Sequence, residues 1–435
     1  MSRSQNPFSV RDFRLLWVGE AVSSLGDQFA LIALPWLALV MTGSGLALGG
    51  VLALMAIPRA LFMLIGGVSV DRLSPRRVMI GSNAVRLVAV AALGVVVLAG
   101  LAELWMLYAF ALVFGVADAF FFPAQISIVP QLVEPDQLQR ANGVVQGTAQ
   151  ATVLVGPALA GIVIAALGSE GANTTGIGAA LLLDAITFVV SMVTLWLIRA
   201  RAAAPAAQAS IIESIGEGVR FVWSRASMRA VIGISLSANL FIVGPFEVGL
   251  PYFAYTRLPE GAAAFGVLLA AFGGGSLIGL AAGAMLPTPR KERLGVVVIS
   301  AVSLAGVGLA ALAPVHSTVL AAVMTAASGV ALGYGNLLGL TWIQSRIPPD
   351  LMGRVMSLMI LGSIGSVPIS MLVAGAAVEV SLEATLIVAG LGMAVISLAF
   401  LVSPAVRNLG LEPTYEEAAD VPTDTRAADV AHIPA

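Results

Sequence analysis

Twelve times along this chain an apolar run reaches the length at which an α-helix crosses a bilayer, about 20 residues for a hydrocarbon core of ~30 Å. In lipid every backbone N–H and C=O must find its partner within the protein, so runs of this length fold as helices. They occupy residues 15–41, 46–70, 78–99, 104–129, 143–168, 176–198, 230–255, 263–287, 294–314, 318–345, 355–379 and 383–403. Charged residues make up 11% of the chain and mean hydropathy is +0.98, against roughly 25% charged in soluble domains. The expected fold class is an all-α integral membrane protein with twelve transmembrane helices. The first run is too long for a cleaved signal and is retained as a span.

The polar breaks between runs repeat. Pro75-Arg76-Arg77 returns 214 residues later as Pro289-Arg290-Lys291, and Pro135-Asp136 with Arg140 returns as Pro349-Asp350 with Arg354. The same shift places Gly115 on Gly329 and Gly161 on Gly375. Two pseudo-symmetric six-helix bundles are therefore expected, over residues 1–199 and 230–403. Between them, residues 200–229 read as a cytoplasmic linker with an amphipathic helix, because Ile211, Ile215, Val219 and Val222 recur at helical spacing. An ordinary cytoplasmic helix capped at Ser210 fits the same residues. The stretch 404–435, with Glu412, Glu416, Glu417, Asp420, Asp424 and Asp429 among Pro and Ala, reads as a disordered cytoplasmic tail. Of 22 basic residues, Arg59 and Arg86 fall inside spans and Arg257 follows the seventh. The other cations lie in the termini and even-numbered connections, which puts both termini in the cytoplasm. Trp17, Trp36, Trp105, Trp196 and Trp342 lie near span ends as expected of interfacial anchors.

Several chemistries are excluded. There is no cysteine, hence no disulfide or thiolate metal site, and the two histidines, His316 and His432, fall in a predicted outer loop and the tail. No catalytic set, metal site or cofactor is expected. The single lysine, Lys291, follows no phosphate-cradling glycine loop, and a net charge of −2 provides no basic surface for nucleic acid.

The loop after the second span reads Gly67-Val-Ser-Val-Asp71-Arg72-Leu-Ser-Pro-Arg76-Arg77. It resembles the signature loop of the major facilitator superfamily, in which such a loop acts as a latch of the outward-open state. Physically, Gly67 permits close helix approach, Asp71 can cap or pair across the rim, and the arginines bind anionic headgroups. Gly143, Gly147, Gly156-Pro157 and Gly161 in the fifth span resemble the Gly-Pro motif of that superfamily's antiporters; generic small-residue packing is the competing reading. Within the superfamily the chain is similar to the macrolide-exporter and enterobactin-exporter branch, through Phe13-Arg14-Leu-Leu-Trp17, Ser24-Leu-Gly26-Asp27, Asp184-Ala-Ile-Thr-Phe188 and Glu217-Gly218-Val-Arg220-Phe221-Val222-Trp223. The resemblance implies export of drugs or siderophores driven by the proton gradient. One departure stands out: the arginine that many drug antiporters carry four residues before the glycine of span four falls at Ala111 here.

Charges at membrane depth cost at least ~2.5–3.5 kcal/mol on insertion scales, and survive beside a cavity or a partner. Glu20, Ser23, Ser24 and Asp27 share one face of the first span. Asp27 is expected to carry the coupled proton, with Arg59, at similar depth in span two, as its partner and Glu20 nearby; a static ion pair is the competing reading. Asp118, Gln146, Gln150, Asp184, Asn239, Glu247 and Asn336 are candidates for the substrate cavity, and interhelix hydrogen bonding would account for most of them too. Aromatic residues beside these acids would suit an amphipathic organic solute. The expected function is secondary active, proton-coupled efflux by alternating access, from a monomer in a bacterial cytoplasmic membrane. A same-fold importer or lysophospholipid carrier is the alternative.

Overall fold

The computed structural model describes residues 6–169, 173–199, 216 and 219–415. The side chains of Asp71 and Arg72, most of the expected linker helix and the chain beyond residue 415 lie outside the described residues. Twelve long helices follow in order: α1 (Arg11–Thr42), α2 (Gly45–Leu73), α3 (Pro75–Leu98), α4 (Leu104–Leu132), α5 (Pro135–Leu167), α6 (Thr175–Leu197), α7 (Ala226–Arg257), α8 (Ala262–Met285), α9 (Leu294–Ala311), α10 (Thr318–Gln344), α11 (Pro349–Val380) and α12 (Leu382–Phe400). Every expected span falls on one of them. Eleven hold a long apolar window; in α11 the apolar stretch is the shorter Gly365–Val380.

Local chemistry sets the helix ends. Gly43, at φ 63°, closes α1 by donating its N–H to Leu39 O, and Ser44 then accepts from Ala47 N at 3.0 Å to start α2. Pro135 opens α5 behind a Glu134/Gln137 capping box. The repeat is visible in these starts: α4 and α5 begin at Leu104 and Pro135, α10 and α11 at Thr318 and Pro349, 214 residues on. The sixth helices depart from it, since α6 begins at Thr175 and α12 at Leu382.

Two crossings join the halves, and they mirror one another. α5 meets α8 where a Cβ on Gly161 would lie 2.6 Å from Ala262 O and 3.1 Å from Gly266 Cα; α11 meets α2 where a Cβ on Gly375 would lie 2.6 Å from Gly45 O and 3.2 Å from Gly49 Cα. Only glycine admits backbones this close, as in other membrane helix pairs. Both crossings lie at the end of the molecule away from the termini, here called the far end. Around them both halves share one apolar core, with Trp36, Leu48 and Phe110 packed into the same cluster as Phe253, Phe265 and Leu386. At the terminal end the cores are separate: Phe13, Met79 and Ile128 in the first half, Ile299, Met393 and Val406 in the second. The molecule is thus closed at its far end, and among the described residues no core bridges the halves at the other.

Several expectations are corrected. Trp36 and Trp342 are not interfacial anchors but buried: Trp36 stacks edge-on to Tyr255 of α7 at 5.6 Å and donates to Ser169 O, and Trp342 donates to Leu409 O at 2.6 Å. Residues 404–415, assigned to a disordered tail by composition, fold back on the second half through short turns at Pro404–Arg407 and Leu409–Leu411. Val406 is fully buried, Arg346 donates to Glu412 O at 2.8 Å, and Ser227 donates to the Glu412 carboxylate at 2.9 Å. A Cβ at Gly67 meets nothing, so the close approach expected there is absent; its neighbour Gly66 makes one instead, against Ala119 O of α4. Arg76 caps the last carbonyls of α6, with Nε donating to Leu195 O at 2.6 Å and Nη2 to Trp196 O at 2.5 Å, whereas Arg77 is exposed.

The crossings give a direct test. Overpacking costs about 1–3 kcal/mol, so Gly375→Val is expected to weaken far-end closure on that scale. A cysteine placed at buried Ala262, in a chain with no native thiol, should resist an impermeant thiol reagent in the parent and react in the Gly375→Val background. Equal reactivity in both would show that these crossings do not hold the far end shut.

Candidate functional site

The polar face expected on α1 is turned into the first half. Glu20 and Ser23 are buried and Asp27 is partly so. α6 approaches this face over Gly19 and Gly26, two turns apart, where Thr194 and Thr187 leave no room for a side chain; a Cβ on Gly26 would also lie 2.6 Å from Asp184 Oδ1. The absence of a Cβ at Gly26 therefore sets Asp184, itself fully buried, beside Asp27.

The centre of the site is Arg86 of α3, only 4% exposed. Its guanidinium pairs with Asp118 of α4 and lies over three aromatic rings, Phe121 at 4.4 Å, Phe114 at 4.9 Å and Phe188 at 5.4 Å. Asp27, Asp184 and Glu20 lie within its electrostatic reach. Cation–π contact stabilises a desolvated cation by up to about 2 kcal/mol per ring, while the carboxyls supply the charge. Asp118 also holds Arg59 of α2, whose Nε is 3.1 Å from Asp118 Oδ2 and whose side chain remains 47% exposed. Gln125 Nε2 donates to Glu20 Oε2 at 2.5 Å, and Asn83 Nδ2 to Ser191 Oγ at 3.0 Å. Four carboxyls thus surround two guanidiniums. Glu20 Oε1, Asp27 Oδ1, Asp184 Oδ2 and Arg86 Nε and Nη1 are buried without hydrogen-bond partners. An incompletely satisfied polar network in low dielectric is costly as it stands, and water or a proton relieves that cost. No group of three His, Asp or Glu side chains suited to a metal ion occurs among the described residues.

The acids singled out in the sequence lie together, but the pairing expected for Arg59 is not the one formed. Glu20, Asp27, Asp118, Asp184 and Arg59 all converge, but Arg59 pairs with Asp118, not with Asp27. The reason is packing: α2 meets α4 through Gly66 against Ala119 O and Gly115 against Met55, so Arg59 is turned toward α4. The cation near Asp27 is Arg86, which sequence reasoning had used only in counting charges. The available signal was that Arg86 is the sole cation in the interior of the third span. It also qualifies the departure at Ala111, which is buried: beside Phe114, one turn further along α4, the guanidinium comes from α3.

The other candidates stand apart from this cluster. Gln146 and Gln150 are exposed along α5, and the nearby Gly143 and Gly147 have open space where a Cβ would be. Gly156 admits Gln28 of α1, and Pro157 lies at the α8 crossing against Gly266. In the second half, Asn336 is exposed on α10; Asn239 begins a π-helical segment, Asn239–Val243, and Glu247 follows it.

Comparison with known proteins places this architecture. The sequence pattern of the Major Facilitator Superfamily matches residues 16–370. The multidrug efflux pump Tap of Mycobacterium tuberculosis is 28% identical over 92% of this chain and 95% of its own length. Macrolide efflux protein A of Streptococcus pyogenes is 23% identical over 80% of this chain and 84% of its own. Among solved structures, a bacterial homologue of the iron transporter ferroportin in an inward-facing state superposes with a TM-score of 0.70 at 19% identity, covering 90% of this chain and 98% of that one. The nucleoside transporter NupG gives 0.69 at 13%, covering 90% and 98%.

The two arginines should separate in stability measurements. Breaking a buried ion pair costs about 3–5 kcal/mol and breaking an exposed one at most about 1. Arg86→Gln is therefore expected to lower the unfolding midpoint of the purified protein far more than Arg59→Gln. Equal losses would contradict the central place given to Arg86.

Proposed function

We propose, from the premise that this chain belongs to the Major Facilitator Superfamily and is a multi-pass membrane transporter rather than an enzyme, that it exports amphipathic organic solutes in exchange for protons. The observation that carries the proposal is the cluster around Arg86, with two more carboxyls than guanidiniums and buried oxygens on Glu20, Asp27 and Asp184 that have no partner. Buried charges are paired, and an excess of acid in low dielectric is accommodated by bound protons rather than bare charge. A cluster of this composition holds or releases a proton at little structural cost.

Asp27 is the proton carrier in this account, and Arg86 is its counter-charge. With Asp27 ionised, Arg86 is shared between it and Asp118. Protonation of Asp27 leaves Arg86 to Asp118, and Arg59, half exposed, compensates Asp118 as Arg86 shifts. Glu20, held by Gln125, extends the acid row along α1 toward the terminal end. The coupling works by changing which helices of the first half are drawn together, and so the tilt of that half about the glycine crossings.

The bias of the basic residues supports a cytoplasmic location for both termini, which makes the conformation described above open toward the cytoplasm. Alternating access then consists of opening the far end while the separate terminal-end cores approach. The membrane is assigned as a bacterial cytoplasmic membrane, after the relatives. The working unit is a monomer, since both crossings and the cluster come from one chain. The names of the mycobacterial and streptococcal relatives support drug-like or macrolide-like substrates and outward transport.

Everted vesicles energised to an acidic lumen provide the test. Addition of a substrate from a panel of macrolides and lipophilic drugs should release lumenal protons. Asp27→Asn should abolish the release by protein that still inserts. Release undiminished by Asp27→Asn would remove Asp27 from the mechanism; movement of solute with no release for any compound would replace antiport by uncoupled transport.

A further inference from the structure

Glu247 is the one Asp, Glu, Lys, Arg or His in α7–α12 that lies more than two helical turns from either end of its helix. It has no hydrogen bond or ion pair among the described residues, and it is partly accessible rather than sealed. Its direction follows from its neighbours. Phe246 stacks on Phe272 of α8 with ring centroids 4.6 Å apart. Gly244 packs against Ser370 of α11 and donates its N–H to Ser370 Oγ at 3.0 Å, and Gly249 faces Leu386 of α12, 3.4 Å from where its Cβ would lie. At about 100° per residue, Glu247 points between α8 and α11 and about 160° away from the direction of α12. α8 and α11 are the two helices of the second half that cross to the first, so the Glu247 carboxyl is aimed at the axis between the halves, just below the shared far-end core.

The local backbone is built to hold it there. The π-helical turn at Asn239–Val243 and Pro245 break the regular ladder of α7, and Ser370 bridges the break by accepting from Gly244 N and donating to Leu240 O at 2.7 Å. π-turns of this kind concentrate at functional positions. A carboxylate at this depth requires a positive partner, and among the described residues none pairs with it; the acids Glu379 and Glu383 of α11 and α12 are at the far-end rim. An apolar wall formed by Phe246 and Phe272 lies next to it.

We infer that Glu247 is the specificity-determining carboxyl of the solute pathway, which receives the ammonium or other cationic group of an amphipathic substrate while the adjacent aromatic pair receives its apolar body. The inference rests on the transporter reading above, and it places solute recognition in the second half, separate from the proton cluster of the first. Proton and solute then communicate through the movement of the halves rather than by competing for one carboxyl.

The test is equilibrium binding of tetraphenylphosphonium, a permanent lipophilic cation, to the full-length protein in detergent with no gradient present. Removing one partner of a desolvated charge pair costs about 2 kcal/mol or more, roughly 30-fold in affinity. Glu247→Gln should weaken binding on that scale, Glu247→Asp should retain most of it, and Glu103→Gln, at the exposed far-end rim, should leave it unchanged. Undiminished binding by Glu247→Gln overturns the inference, as does failure of the unmodified protein to bind the cation. Thermal unfolding without ligand is read in parallel: loss of binding in both Glu247 variants together with collapse of their folded state would assign Glu247 to packing and overturn the inference too. Because no gradient is involved, loss of proton release in vesicles would refute the antiport reading and leave this result standing.

Discussion

A guanidinium buried in a membrane bundle dictates much of what surrounds it. Arg86 is cut off from bulk solvent where it lies, so α4 brings Asp118, α1 turns its acid row inward, and aromatic rings from α4 and α6 line other sides. Each requirement reaches back into the sequence: glycine at positions 19 and 26 for α6 to come close enough, glycine at 66 and 115 for α2 to bring Arg59 to the same carboxylate. The first half is in this sense folded around one charge. In the second half the buried guanidinium among the described residues is Arg346, set over Trp342, and the terminal end there is fastened by the segment 404–415, through Trp342, Arg346 and Ser227.

That asymmetry sits inside a symmetric frame. The crossings at Gly161 and Gly375 are nearly superposable in their close distances, and two equivalent contacts at one end of a pair of rigid bundles form a natural axis for rocking. In the proposed mechanism charge rearrangement in the first half would have a mechanical outlet here, since drawing α1, α3 and α4 together or letting them relax would tilt that bundle about the crossings.

Much of this was legible in the sequence. Apolar run length located all twelve helices, and the recurrence at Pro135 and Pro349 located the repeat, because bilayer thickness and backbone satisfaction leave few alternatives. The acids Glu20, Asp27, Asp118 and Asp184 could be singled out because charge at membrane depth is costly. Their partners could not be read, since pairing depends on which helix faces which: Arg59 and Asp27 share a depth but not a neighbour. The same limit explains Gly67 and Gly66, one residue and about 100° apart, of which only the second meets a helix. The composition of residues 404–435 concealed the folded portion before residue 416, whose anchors, Trp342 and Ser227, lie far away in the chain.

The account depends most on the opposite motion of the two ends under control of the Arg86 cluster. Spin labels on cysteines introduced at exposed sites of the two halves, Leu101 with Val319 at the far end and Leu73 with Met285 at the terminal end, would report both distances in the same protein by pulsed electron resonance. The account predicts that a pH change lengthens one distance distribution as it shortens the other, and that Asp27→Asn removes the response. Distances that stay fixed across pH, or that change together, would contradict it.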